Sequence, residues 1–196
     1  MAVIVTGICG NLGKLVARRL HREYEVVGLD RRPFPNKPKD VTLFQIDIRR
    51  KKAEDVFRKY QGRIKALVHL GIMHDPRMDD EEHHTFNLLG TTQLLDYCSR
   101  YQVPKVVLLS SANVYGPRPD NAQFLPEDTP LLGSERFHAI RDLIAVDMIA
   151  QSFFWKQPEI ETVVLRPVHI VGPVNNAPSN YLRLKTPPTV LGFDPM

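Results

Sequence analysis

Only two of the 196 residues are cysteine and only one is tryptophan. A chain of this length buries about 70% of the surface that its unfolded form exposes, so it needs neither disulfides nor a structural metal. Two isolated thiols, Cys9 and Cys98, give no disulfide framework and point to a reducing compartment, so a cytoplasmic location is expected. The opening Met1-Ala2-Val3-Ile4-Val5-Thr6 carries no basic leader. Long hydrophobic runs are missing too. None approaches the roughly 18 residues that span a bilayer, and no membrane partner is expected. Neither sign of charge prevails, because 26 Lys and Arg face 22 Asp and Glu, a net charge of +4. The basic runs Arg31-Arg32 and Arg49-Arg50-Lys51-Lys52 have no interleaved aromatics and are followed by Glu54 and Asp55. The acidic run Asp79-Asp80-Glu81-Glu82 would repel a polyanion. Solvated helix faces explain these runs, and no nucleic-acid partner is expected.

What the chain does have is alternation. Short β-branched runs alternate with longer segments of helical period, the pattern of an α/β fold built on a parallel sheet. Strands are predicted at residues 2–6, 25–29, 41–45, 66–70, 106–110 and 162–166. These are mostly continuous apolar runs, as strands covered on both faces require. Helices are predicted at 12–22, 53–60, 81–101 and 135–155, the last from Phe137, Ile140, Ile144 and Met148, spaced three or four apart. Seven of the 16 prolines fall from Pro158 onward, which makes the tail loop-rich.

Directly after the first strand stands Gly7-Ile8-Cys9-Gly10-Asn11-Leu12-Gly13, and a helix follows. Three glycines alone are a weak signal, but here the flanks supply the context: a strand before, a helix after, and Asp30 at the end of the next strand. Gly7 makes the tight turn, Gly10 lets the backbone approach a diphosphate, and Gly13 lets the helix pack close. The free amides of Asn11 and Leu12 at the helix start then face the anion. Asp30 suits the two hydroxyls of an adenosine ribose and repels a 2′-phosphate by about 4 kcal/mol per charge pair, so NAD is expected over NADP. Arg31 and Arg32 blunt that preference, since either can pair with a 2′-phosphate. For Cys9 two readings stand: it fills a small space, or the helix start lowers its thiol pKa.

Further motifs follow in order: Asp47-Ile48, His69-Leu70-Gly71, Asn87 with Gly90-Thr91, Ser110-Ser111-Ala112-Asn113-Val114-Tyr115-Gly116, and Leu165-Arg166-Pro167 leading to Val171-Gly172-Pro173. With the glycine turn, this set over residues 2–173 resembles the extended short-chain dehydrogenase/reductases, particularly the NAD-dependent nucleotide-sugar epimerases and dehydratases. The resemblance implies a Rossmann-type doubly wound parallel sheet over residues 1–173 and a loop-rich start of an incomplete C-terminal substrate lobe over 174–196, so a truncated product is expected. It implies that Asp47 and Ile48 contact adenine, that Leu70, Gly71, Ile72, Asn87 and Ser110 line the cofactor, and that Pro167 and Val168 lie against the nicotinamide. Asp47 and Asn87 can equally cap turns, and Pro167 can merely end a strand. The helices 81–101 and 135–155 are, by resemblance, the pair that forms a four-helix dimer bundle, so a homodimer or a partner chain is expected.

Catalysis in that family uses a serine or threonine, a tyrosine, and a lysine four residues after the tyrosine. Ser111 matches the first. Phe137 and Arg141 stand where the Tyr and Lys belong. Phe137 has no proton to move and Arg141 holds a fixed charge. A positioned acid/base is worth about 10²–10⁴ in rate, so weak or atypical turnover is expected, with a non-catalytic dinucleotide-binding sensor or scaffold as the alternative. His138 and Tyr115 are conceivable substitutes. His69, His74, His83 and His84 near Asp75, Asp79 and Asp80 fit no metal-ligand spacing, and no metal is expected; His83 and His84 are read as the start of an exposed helix.

Overall fold

Strand β1 (Ala2–Thr6) pairs in parallel with β2 (Glu25–Asp30) on one side and with β4 (Ile64–His69) on the other. With β3 (Thr42–Gln45), β5 (Lys105–Leu109) and β6 (Glu161–Leu165), the parallel sheet runs in the order β3-β2-β1-β4-β5-β6. The computed structural model describes residues 1–73, 80–119, 121–135, 140–168 and 170. The helices are α1 (Asn11–Leu20), α2 (Lys52–Tyr60), α3 (Asp80–Arg100) and α4 (Arg141–Lys156).

Alternation along β1 explains the layering. Ala2 and Ile4 enter one core with Val56 and Phe57 of α2 and Leu94 and Cys98 of α3, whereas Val3 and Val5 enter a second core with Ile8 and Ala17 of α1. Successive side chains of a strand point to opposite faces, so a strand with helices on both sides is apolar at every position. The expected α/β Rossmann-type sheet is therefore present. Successive strands are added in one direction from β1 to β3 and in the other from β4 to β6, and the crevice beyond the carboxyl ends of β1 and β4 is the switch point where such sheets take ligands.

Two expectations about helices are corrected. The last helix starts at Arg141, not at 135, because Gly133–Glu135 form a 3-10 turn. A Cβ on Gly133 would lie 2.5 Å from Ile140 Cδ1, so the chain is packed tightly there before the helix begins. The buried face of α4 carries Leu143, Val146, Asp147 and Ala150, the three-four-seven spacing of a core stripe. Met148 lies off that stripe and is 59% exposed. His83 is buried, not part of an exposed face.

On β5 and β6 the side facing away from α4 is thinly covered by the described residues. Val107, Leu109 and Val163 are half-buried, and Leu165 is 46% exposed. No described helix is long and apolar enough to cross a membrane.

Candidate functional site

The glycine turn is held by backbone contacts. Gly7 has φ +67°, and its N–H donates to Leu29 O at 3.0 Å. A Cβ on Gly7 would lie 2.7 Å from the main chain of Gly71, so the loops after β1 and β4 touch backbone to backbone. Gly13 packs under the Gly7 carbonyl and the Ile8 backbone in the same way. Gly10 begins α1 in an extended conformation; no side chain caps this helix start, and its first turn carries no acidic residue. The positive end of α1, with the amides of Asn11, Leu12 and Gly13, thus opens toward the crevice as an anion cradle. These residues fit a dinucleotide diphosphate.

Asp30, at the end of β2, reaches under this turn. Its Oδ2 accepts from the Cys9 N–H at 2.9 Å and from Arg32 Nη2 at 3.2 Å; its Oδ1 accepts from the Arg32 N–H at 3.0 Å and Nε at 3.1 Å. Burial pushes the carboxyl pKa up, but the Arg32 and Cys9 hydrogen bonds outweigh it and hold Asp30 below the ordinary carboxylate range. Of the two readings of Cys9, the lowered thiol pKa is the one overturned. Burial and the Asp30 charge push it up to about 11, and Sγ–H donates to Arg32 O at 3.1 Å. Cys9 fills space and fixes the turn.

Arg31 turns away from Asp30. Its Nη1 bonds Glu82 of α3 at 2.5 Å, and its guanidinium stands 5.0 Å from the centre of the Phe86 ring. Asp47 accepts from the N–H and side chain of Arg49, which lies over the same ring at 5.6 Å. Ile48 is buried against Gly90, where a Cβ would meet its Cδ1 at 2.5 Å. Asp47 and Ile48 thus follow the carboxyl end of β3, with Ile48 in the core against α3.

Under the other wall runs a chain of hydrogen bonds that the sequence reading missed. Thr6 Oγ1 lies 2.5 Å from His69 Nδ1, and His69 Nε2 lies 3.0 Å from Thr91 Oγ1. The Gly71 N–H donates to Thr6 Oγ1 at 3.3 Å. A neutral imidazole donates through one ring nitrogen and accepts through the other, so the His69 ring links the Thr6 and Thr91 hydroxyls across the wall. Burial lowers the His69 pKa to about 4, so the imidazole is neutral. Asn87 braces the segment beyond Gly71: its Oδ1 accepts from the Met73 N–H at 2.8 Å and its Nδ2 donates to Met73 O at 2.7 Å. Leu70 N–H donates to Thr6 O, and Ile72 packs against Val114 and Leu108.

At the far end of the crevice, Ser111 begins the 3-10 turn Ala112–Tyr115, and its Oγ accepts from the Asn113 N–H at 3.2 Å. Ser110 N–H donates to Leu165 O and Ala112 N–H to Pro167 O, at 2.7 and 2.9 Å, which brings Pro167 beside Ser111. Val168 is exposed. Beneath Ser110 lies Asp147, fully buried, accepting from Ser110 Oγ at 2.7 Å and from Arg166 Nε and Nη2 at 2.8 Å each. Neither Asp147 nor Arg166 was singled out for this pairing in the sequence, although a carboxylate inside an apolar helical stripe was a readable signal. Arg141 stands at the first position of α4, mostly exposed, with Nε 3.6 Å from Asp142, whose Oδ1 also takes His84 Nδ1 at 2.8 Å. Among the described residues no hydrogen bond joins Arg141 to Ser111. Phe137 and His138 lie outside the described residues, as do His74, Asp75 and Asp79.

A family model described as NAD dependent epimerase/dehydratase matches residues 3–185. The chain belongs to the NAD-dependent epimerase/dehydratase family. Its relatives within this family and fold include the UDP-glucose 4-epimerase of Bacillus subtilis, 32% identical over an alignment of 146 residues that covers 67% of this chain and 40% of the relative. An uncharacterized protein of Mycobacterium tuberculosis is 25% identical over 203 residues, 98% of this chain and 54% of its own length. The UDP-glucose 4-epimerase of Thermus thermophilus, solved in complex with NAD, is 27% identical with a TM-score of 0.69 over 85% of this chain and 54% of that one. This epimerase/dehydratase chain thus spans about half the length of the proteins it matches.

Proposed function

We propose that the protein binds NAD and acts on a nucleotide sugar or a similar hydroxyl or carbonyl substrate, with weak or atypical turnover. The observation that carries this reading is the cradle itself: the open start of α1 behind Gly7, with the buried Asp30 carboxylate beside it. NAD was bound in the Thermus relative, and UDP-glucose is the sugar named for that protein and for the Bacillus one. Bound NAD would supply a hydride acceptor. The amides of Asn11, Leu12 and Gly13 would hold its diphosphate. Asp30 would take the adenosine ribose, Asp47 and Ile48 the adenine, and Leu70, Gly71, Ile72, Asn87 and Ser110 the cofactor's length. Pro167 and Val168 would face the nicotinamide, and Arg141 would stand for the ribose-gripping lysine. Ser111 would hold the substrate oxygen, while Phe137 can neither give nor take its proton.

Isothermal titration with NAD and with NADP up to millimolar concentration tests the reading, and absence of binding to both overturns it. A second reading is favoured by the Phe137 and Arg141 pair: a non-catalytic dinucleotide-binding sensor or scaffold. Ser111→Ala separates the two, because it abolishes turnover in an enzyme and leaves partner binding intact in a sensor. A homodimer through α3 and α4 belongs to the same proposal. It is supported by Leu89, Met148 and Trp155, large apolar side chains that these helices leave exposed.

A further inference from the structure

The most deeply buried charge in the described residues lies beneath Ser110, away from the glycine turn at the start of α1. Asp147 sits in the apolar stripe of α4, fully buried, and takes four hydrogen bonds: from Ser110 Oγ, from Gln151 Nε2 at 2.8 Å, and from Arg166 Nε and Nη2. Arg166 has one nitrogen left. Its Nη1 donates to the Tyr115 hydroxyl at 2.6 Å and to the Glu127 carbonyl at 2.7 Å, and the guanidinium lies 5.3 Å from the Tyr115 ring centre. A single guanidinium therefore ties the end of β6 to α4, to the Ala112–Tyr115 turn and to the 127 loop.

An apolar pair of the same volume would support the fold as well as a buried ion pair does or better. What it cannot do is fix several elements in one register. The planar fork of arginine suits that task because each of its nitrogens points in a set direction. Ser111 stands between the two pinned points, with Ser110 held from below through Asp147 and Tyr115 held through Arg166. Main-chain bonds of Ser110 and Ala112 to Leu165 and Pro167 close the frame.

We propose that Arg166, seated on Asp147, is a positioning residue: it holds the turn from Ser110 to Tyr115 in the one arrangement that presents the Ser111 hydroxyl to a bound sugar. This rests on the NAD-dependent reading above. The informative variant is Tyr115→Phe, which cuts the link to the turn and leaves the buried ion pair whole. Hydrogen exchange by mass spectrometry should show residues 112–116 exchanging about tenfold faster or more, with residues 7–13 unchanged. The NAD dissociation constant should stay within about twofold. With UDP-glucose as the probe, kcat should fall about tenfold or more while KM moves little, as expected for lost orientation rather than lost binding. Arg166→Lys should retain part of the rate, and Arg166→Gln less. Unchanged exchange at 112–116, or NAD affinity falling in step with kcat, overturns the proposal while the reading stands. A wild-type protein that binds no NAD sinks the NAD-dependent reading and this proposal with it; where wild type does not convert UDP-glucose, the exchange rates at residues 112–116 in Tyr115→Phe decide the proposal alone.

Discussion

Arg32 occupies both carboxylate oxygens of Asp30, through Nε at 3.1 Å and Nη2 at 3.2 Å. With the Cys9 and Arg32 amides already bonded to the same oxygens, the roughly four acceptor sites of a carboxylate are full. A ribose diol can bind Asp30 only if the guanidinium lets go. The Arg32 side chain is 63% exposed although Asp30 is buried, so the guanidinium can swing into solvent while the ribose hydroxyls take over its hydrogen bonds to the carboxylate.

Arg32→Ala should therefore leave NAD affinity within about fivefold of wild type or tighten it, because the competitor for Asp30 is gone. NADP affinity should fall by about tenfold or more, since the cation that offsets the Asp30 charge near a 2′-phosphate is lost. Parallel titrations of both dinucleotides check this. Equal changes for the two would separate Arg32 from cofactor choice.

Gly7→Ala should damage stability and binding together. The residue has φ +67°, and the new methyl would meet Gly71 and Leu70 main chain below 3 Å. Strain of this kind costs on the order of 1–3 kcal/mol, and the backbone clash adds to it. A lowered urea midpoint with lost NAD binding is the expected outcome.

His69 sets an acid limit. Its pKa falls from 6.5 to about 4 on folding because burial disfavours the imidazolium. Between those values the unfolded chain binds the extra proton, so stability is full above pH 6.5 and declines as pH drops toward 4, by about 3 kcal/mol in all. Asp30, Asp47 and Asp147, whose pKa values are also lowered, add their losses only below the ordinary carboxylate range. Denaturant melts at pH 7 and pH 4.5 should show the decline, and His69→Gln should flatten it. An equal slope in the variant would assign the effect elsewhere.

Self-association through α3 and α4 should appear as a dimer mass in light scattering. Met148→Glu, placed off the core stripe of α4, should shift it toward monomer without altering the thermal midpoint by more than a few degrees.

The sheet was legible because parallel strands buried on both faces are written as unbroken apolar runs, and the cradle because Gly7, Gly10, Gly13 and Asp30 each answer a steric or charge demand at fixed spacing. The start of α4 was not, because its periodic pattern continues backward through Phe137 while tight packing at Gly133 imposes a different turn. The Asp147 and Arg166 pair joins residues 19 apart whose meeting depends on how α4 lies on β6, and His69 shows its threonine partners only once β1, β4 and α3 are assembled. Periodicity reports which face of an element is covered. It does not report which polar group on that face meets which.

Gly7 and Gly71 meet main chain to main chain, with the Thr6 hydroxyl bonded alongside to the Gly71 N–H. Side-chain contacts can absorb small displacements by changing rotamer, but abutting main chains have no such slack. The floor of the crevice is in effect a welded seam, and any shift of β4 is passed undamped to the anion cradle.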